Sequence, residues 1–180
     1  HNSYISVILA RLEEIRKFLL DAVRDSRIPL NAKEKLWIEV IQCSYDALLE
    51  GYSRLKRFTN DTRTSMLEDA TAFYEGVNTL GKVEVRRGLD YIKAYLQASS
   101  LDDDAFMEWT RTSWQDYAYR HVIAQVQQRF GSVLGKKRLK EAVEIVDNLY
   151  ALEQDFEDNT SERRKSTMMF ALPKFGSTKS

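Results

Sequence analysis

Residues 4–25 read YISVILARLEEIRKFLLDAVRD. Within them Ile5, Ile8, Leu9, Leu12, Ile15, Leu19, Ala22 and Val23 recur at the spacing that gathers side chains on one face of an α-helix. Arg27-Ile28-Pro29-Leu30 follows and ends the pattern, because the residue before a proline avoids helical geometry. From there to Pro173 no further proline occurs, and the intervening chain is rich in Leu, Ala, Glu, Lys, Arg and Gln, all good helix formers. Strand signals are poor, and no strand is expected.

Outward from this stretch the same periodicity repeats. A second helix is expected from Asn31, with Asn31 and Glu34 as a capping box, to about Phe58. Its apolar face carries Leu36, Trp37, Val40, Ile41, Leu48, Tyr52 and Leu55. Asn60-Asp61-Thr62 offers the cap of a third, lined by Met66, Leu67, Ala70, Phe73, Tyr74 and Val77, with Gly81 as a left-handed stop. A fourth is expected from about Glu84 to Ala98, with Val85, Leu89, Ile92, Tyr95 and Leu96 inward. Ser100 is the expected cap of a segment holding Phe106 and Trp109. Ser113 would open another with Trp114, Tyr117, Val122, Ile123 and Val126, closed by Gly131. The last would follow Ser132 or Gly135 and run to about Asp155. The expectation is an all-α fold: an elongated antiparallel bundle of about six or seven helices over residues 1–156, then a flexible tail over 157–180. That tail holds one apolar patch, Met168 to Phe175. His1-Asn2-Ser3 reads as a vector-derived start, so a fragment of a larger protein is expected.

Composition narrows the function. The chain is 43% hydrophobic and 30% charged, enough for a real core under a solvated surface. Lys+Arg and Asp+Glu are both 27, so no net field draws it to nucleic acid. A lone cysteine, Cys43, fits a reducing compartment and is expected to be a buried thiol. The longest apolar runs are too short to span a bilayer.

Chemistry-bearing patterns are absent. The two histidines, His1 and the expected mid-helix His121, have no partner ligands at metal-site spacing. Asp102-Asp103-Asp104 lacks calcium-loop spacing and suits the first turn of a helix, where carboxylates complement the macrodipole. Gly-Lys at 81–82 and 135–136 lacks the preceding phosphate-loop glycines, and no Glu-x-x-His occurs. Catalytic, metal and cofactor residues are therefore all expected to be none, and the chain is read as not an enzyme.

Binding features remain. Lys136, Lys137, Arg138 and Lys140 cluster at a helix start, where cations oppose the macrodipole unless something compensates, such as an acidic partner or a phospholipid headgroup. Arg163-Arg164-Lys165-Ser166 has the form of a basophilic kinase site. Three Trp, nine Tyr and eight Phe fall mostly on inward positions, while Tyr45, Tyr91 and Tyr119 have polar surroundings that suit an exposed interface. Gly51 inside a helix suggests a close helix–helix approach, with Leu36, Trp37 and Tyr52 packed there.

Three stretches carry a resemblance. Arg27-Ile28-Pro29-Leu30, Leu36-Trp37 and Glu50-Gly51-Tyr52 are followed by basic Lys56, Arg57 and Arg63. Tyr91-Ile92-Lys93-Ala94-Tyr95 comes next, then a carboxylate-rich turn and Trp109. Gly131-Ser132 and Lys136-Lys137 lead the last helix. In this order and spacing, from about Arg27 to Asp147, they resemble the syndetin C-terminal domain family, with Pro29, Trp37, Gly51, Tyr52, Tyr91, Tyr95 and Trp109 as the family-like positions. The resemblance implies a helical, non-enzymatic module of the subunit that distinguishes the endosome-associated recycling protein complex. That complex shares three subunits with the Golgi-associated retrograde protein complex. Implied partners are other tethering subunits, SNAREs or small GTPases. The implied place is cytoplasmic, peripheral on recycling endosomes or the trans-Golgi network. A peripheral lipid-binding bundle using the basic cluster is the alternative.

Overall fold

The computed structural model describes residues 2–55, 59–131 and 136–152, and all regular structure among them is helical. The helices are α1 (Ser3–Arg24), α2 (Leu30–Ser53), α3 (Asn60–Leu80), α4 (Leu89–Ala98), α5 (Asp103–Ser113), α6 (Tyr119–Phe130) and α7 (residues 136–152). A 3-10 turn, Trp114–Asp116, joins α5 to α6. The bundle expectation holds. The expected end of the last helix near Asp155, the tail over 157–180 and the Arg163–Ser166 motif lie outside the described residues.

α1 buries Ile5, Leu12, Leu19 and Ala22, the heart of the predicted stripe, while Ile15 lies at its exposed edge. Its end is not made by Pro29. Ser26 adopts a left-handed φ of 57°, the Arg27 amide donates to the Ala22 carbonyl at 2.8 Å and the Ser26 amide to Val23 at 2.9 Å. These two bonds form a Schellman turn, which satisfies carbonyls that the helix end leaves free. Pro29 instead occupies the N-cap position of α2.

Other boundaries also depart from expectation. Asn31 and Glu34 do not form a capping box: the Asn31 side chain accepts only from its neighbour Ala32. Thr59 caps α3 by accepting from the Thr62 amide, and Asp102 caps α5 by accepting from Ala105, so neither Asn60 nor Ser100 is the cap. α2 stops at Ser53, well before Phe58. Gly81 does end α3, at φ 144° and ψ 128°, outside the left-handed helical region. The fourth helix begins at Leu89 and not Glu84, so residues 81–88 form a strap between α3 and α4.

Side-chain contacts fix the directions. Tyr4 near the start of α1 meets Tyr52 near the end of α2, so the two run antiparallel. α3 runs beside α1 in the same sense, with Leu9 against Gly76 and Arg16 against Gly81. Across α2 and α3, Tyr45 packs edge-on to Phe73 at 5.0 Å between ring centroids, and the Tyr52 hydroxyl donates to the Met66 carbonyl. α2 is the central helix, in contact with α1, α3, α4 and α6. It therefore buries more than one stripe. Tyr45, expected at an exposed edge, is 1% exposed, whereas Leu36 and Cys43, expected inward, face out.

Candidate interaction surfaces

Where α1, α2 and α3 meet, near Tyr4, Tyr52 and Met66, a groove of about 550 Å³ opens. Its walls are largely apolar, formed by Ile8, Ala47, Leu48 and Met66. Buried Asp69 closes one end. It accepts from the Asn2 amide at 2.6 Å, the Asn2 side chain at 2.7 Å and the Tyr4 hydroxyl at 2.7 Å. Burial raises the Asp69 pKa, but these hydrogen bonds outweigh it and leave the carboxyl below its ordinary value. Tyr52 is pushed up to about 12, chiefly by burial, so both phenols stay neutral donors.

Gly51 lies on this groove, and the expected close helix approach is not there. A Cβ at Gly51 would meet nothing within 4 Å, whereas one at Gly76 would collide with the Leu9 side chain. The tight crossing is thus between α1 and α3. Gly51→Ala is expected to raise stability by up to about 1 kcal/mol through helix propensity alone. Thermal unfolding checks this, and a fall in Tm would mean that the glycine is needed for packing.

Behind Gly51 lies an ionic knot that composition gave no hint of. Glu50 Oε2 accepts from Arg120 Nε at 2.5 Å and lies 2.8 Å from His121 Nε2, while Oε1 accepts from Arg54 Nε at 3.0 Å. His121 is the third residue of α6, buried, and its Nδ1 has no partner among the described residues. Because a carboxylate only accepts, Nε2 is the donor in this pair. Hydrogen bonds from Arg120 first, then His121, hold the Glu50 carboxyl down at about 2. A depressed carboxylate adds stability that is complete above its unfolded value near 4.5 and is lost as pH falls towards 2. Glu50→Gln is expected to flatten the dependence of Tm on pH in that window. An unchanged slope would show that the knot does not form.

The family-like aromatics divide into two groups. Tyr91, Tyr95 and Trp109 converge with Tyr117 and Phe106 at the junction of α4, α5 and α6. There the Tyr95 hydroxyl donates to the His121 carbonyl at 2.9 Å, Gln125 returns a bond to the Tyr95 carbonyl at 2.9 Å, and Tyr117 donates to the Tyr91 carbonyl at 3.1 Å. Trp37 is buried on α2, Pro29 sits at that helix's start, and Tyr52 and Gly51 lie at the groove. Tyr119 alone of the three expected interface tyrosines is well exposed, and its hydroxyl is tied to Asp147.

At the start of α7, Lys136, Lys137, Arg138 and Lys140 are all exposed. Arg138 pairs with Asp103 in the first turn of α5, and the same carboxylate holds Arg129 Nε at 2.9 Å. Arg129 also stacks over Phe106 at 5.1 Å and donates to the Ser99 and Leu101 carbonyls. Asp103 thus compensates one cation of the cluster and leaves the three lysines without an ion pair among the described residues. Nothing in the sequence marks Arg129, because its partners come from a turn some thirty positions away.

Among the described residues no three His, Cys, Asp or Glu side chains converge to hold a metal, and no helix is long and apolar enough to cross a membrane. A family profile described as "Syndetin, C-terminal" matches residues 1–147. The chain belongs to the syndetin C-terminal family. Syndetin from Gallus gallus is 24% identical over 149 residues, covering 83% of this chain and 16% of that protein. The Rattus norvegicus and Mus musculus syndetins are also 24% identical over 149 residues and are covered to 15%. The chain therefore spans about one-sixth of the length of the syndetins it matches. The family match takes in α1, which the residue-level resemblance did not, and all of the groove, knot and aromatic junction. No solved structure matches the chain.

Proposed function

We propose that the chain is a non-enzymatic protein-interaction module of a vesicle-tethering complex subunit that acts in endosomal recycling and retrograde traffic. Its membership of the syndetin C-terminal family across residues 1–147 carries this reading. The internal use of polar groups supports it. The hydroxyls of Tyr95, Tyr117 and Tyr150 donate to backbone carbonyls, and the His121 Nε2 faces Glu50, so these groups hold helices together instead of facing a substrate. Partners on this reading are the other tethering subunits, SNAREs or small GTPases. The site of action is the cytoplasmic face of recycling endosomes or the trans-Golgi network. Affinity capture from cytosol with residues 1–180, and with residues 1–156, tests the reading. Recovery of tethering subunits or SNAREs by both chains is the expected result. Their absence from both captures would overturn it.

The exposed lysines of α7 favour a second reading, a peripheral lipid contact through Lys136, Lys137 and Lys140. Cations near an anionic surface contribute about 1 kcal/mol each. Flotation with phosphatidylserine vesicles discriminates the two. If lipid contact is the function, glutamate at all three positions abolishes flotation; if it is not, the parent chain does not float.

A further inference from the structure

We propose that the strap of residues 81–88 is a docking edge for an extended, acidic segment of a partner protein, which pairs backbone to backbone with Lys82–Arg86. The inference rests on the protein-binding reading above and gives it a surface. The strap alternates in burial: Lys82, Glu84 and Arg86 are exposed, while Val83 and Val85 pack on the core. Period-two alternation is the mark of extended chain. Yet among the described residues no backbone hydrogen bond joins residues 82–86 to any other segment. The amides and carbonyls of residues 82–86 thus have no hydrogen-bond partner among the described residues, the feature that strand addition uses.

The strap is also held ready. At one end the Gly81 amide closes α3 on the Val77 carbonyl. At the other, the Gln42 side chain grips both polar groups of Arg87: its Oε1 accepts from the amide at 3.0 Å and its Nε2 donates to the carbonyl at 3.1 Å. An edge fixed at both ends gives up little conformational freedom on binding, which favours affinity.

Beside the strap, on its α2 side, two hollows of about 390 and 410 Å³ share Ile38 and Glu84 and so lie end to end. Trp37 and Ile38 give the trough an apolar floor. Its cations are Arg16, Lys33, Lys82, Arg86 and Arg87, against the carboxylates Glu34, Glu39 and Glu84. Five cations against three anions leave the trough positive on a chain whose formal net charge is zero. Among the described residues, Arg87 alone of the five pairs with a carboxylate, Asp46, at 3.7 Å. The complementary occupant is an extended segment that points apolar side chains at Trp37 and Ile38 and acidic ones at Lys82 and Arg86.

Panning residues 1–180 against a display library of random ten-residue peptides tests this. The expected peptides alternate apolar and acidic residues, and bind the chain carrying Lys82→Glu and Arg86→Glu about tenfold more weakly or worse. Hydrogen exchange supplies the second readout, because amides 82–86 should exchange rapidly in the free chain and slow when peptide is bound. No enriched peptide, peptides indifferent to the charge reversal, or amides that peptide leaves unprotected would each overturn the edge. None of these outcomes alters the capture of tethering subunits by the parent chain, so the module reading fails or survives on that experiment alone.

Discussion

Replacing Tyr95 with alanine is expected to cost about 3–5 kcal/mol of stability, the range for emptying a large buried aromatic site. Tyr95 is fully buried, and its ring lies against Tyr117 at 5.4 Å, His121 at 6.3 Å and Trp109 at 6.5 Å. It therefore joins α4 to α5 and α6 at one point. Truncation opens a cavity there and also strips the His121 carbonyl of its hydroxyl donor at 2.9 Å. Tyr95→Phe isolates the second effect, for which about 1 kcal/mol is expected. Domains of this kind have only about 5–15 kcal/mol in total, so the alanine variant should unfold at markedly lower urea. A pair of variants with equal midpoints would mean that the ring is not enclosed.

Trp37→Ala is the second large effect, again about 3–5 kcal/mol. Trp37 is 8% exposed in the N-terminal half of α2, and the hollow it floors is bounded by Arg16, Gly81 and Lys82. Its removal takes support from α2 and from the strap together. The neighbouring residue is the control. Leu36 is 47% exposed, so Leu36→Ala should change stability by no more than about 0.5 kcal/mol. Urea titration of the two variants separates them, and equal losses would show that α2 is rotated from its described orientation.

That contrast shows what periodicity can and cannot settle. α1 touches α2 and α3 along one side, so a single stripe from Ile5 to Ala22 was enough to place it. α2 is surrounded, and a one-stripe reading put Leu36 inward and left Tyr45 at the edge. The burial of Tyr45 depends on Phe73, which lies on another helix, and sequence spacing does not encode that neighbour. Gly51 shows the same limit: a mid-helix glycine suggests a close approach, yet the residue that admits one is Gly76, because Leu9 on another helix faces it. Helix ends were legible only to within a few residues, since several side chains near each start can cap and local geometry selects one. The strap is hidden because Val85 falls in helical register with Leu89, Ile92 and Leu96, which extends the helical pattern back over Lys82-Val83-Glu84-Val85-Arg86, although that run alternates polar and apolar residues between Gly81 and Gly88. The basic cluster was visible at once, but its tie to Asp103 and the Glu50 knot depend on residues far apart in the chain.

On the proposed reading, the helices that bury their apolar stripes against one another leave their outer faces for other proteins. Size-exclusion chromatography with light scattering, on residues 1–180 mixed with purified tethering-complex subunits, tests it most directly. The account predicts co-elution as a complex of fixed stoichiometry. A chain that elutes alone at every concentration tried, with the subunits unshifted, would contradict it.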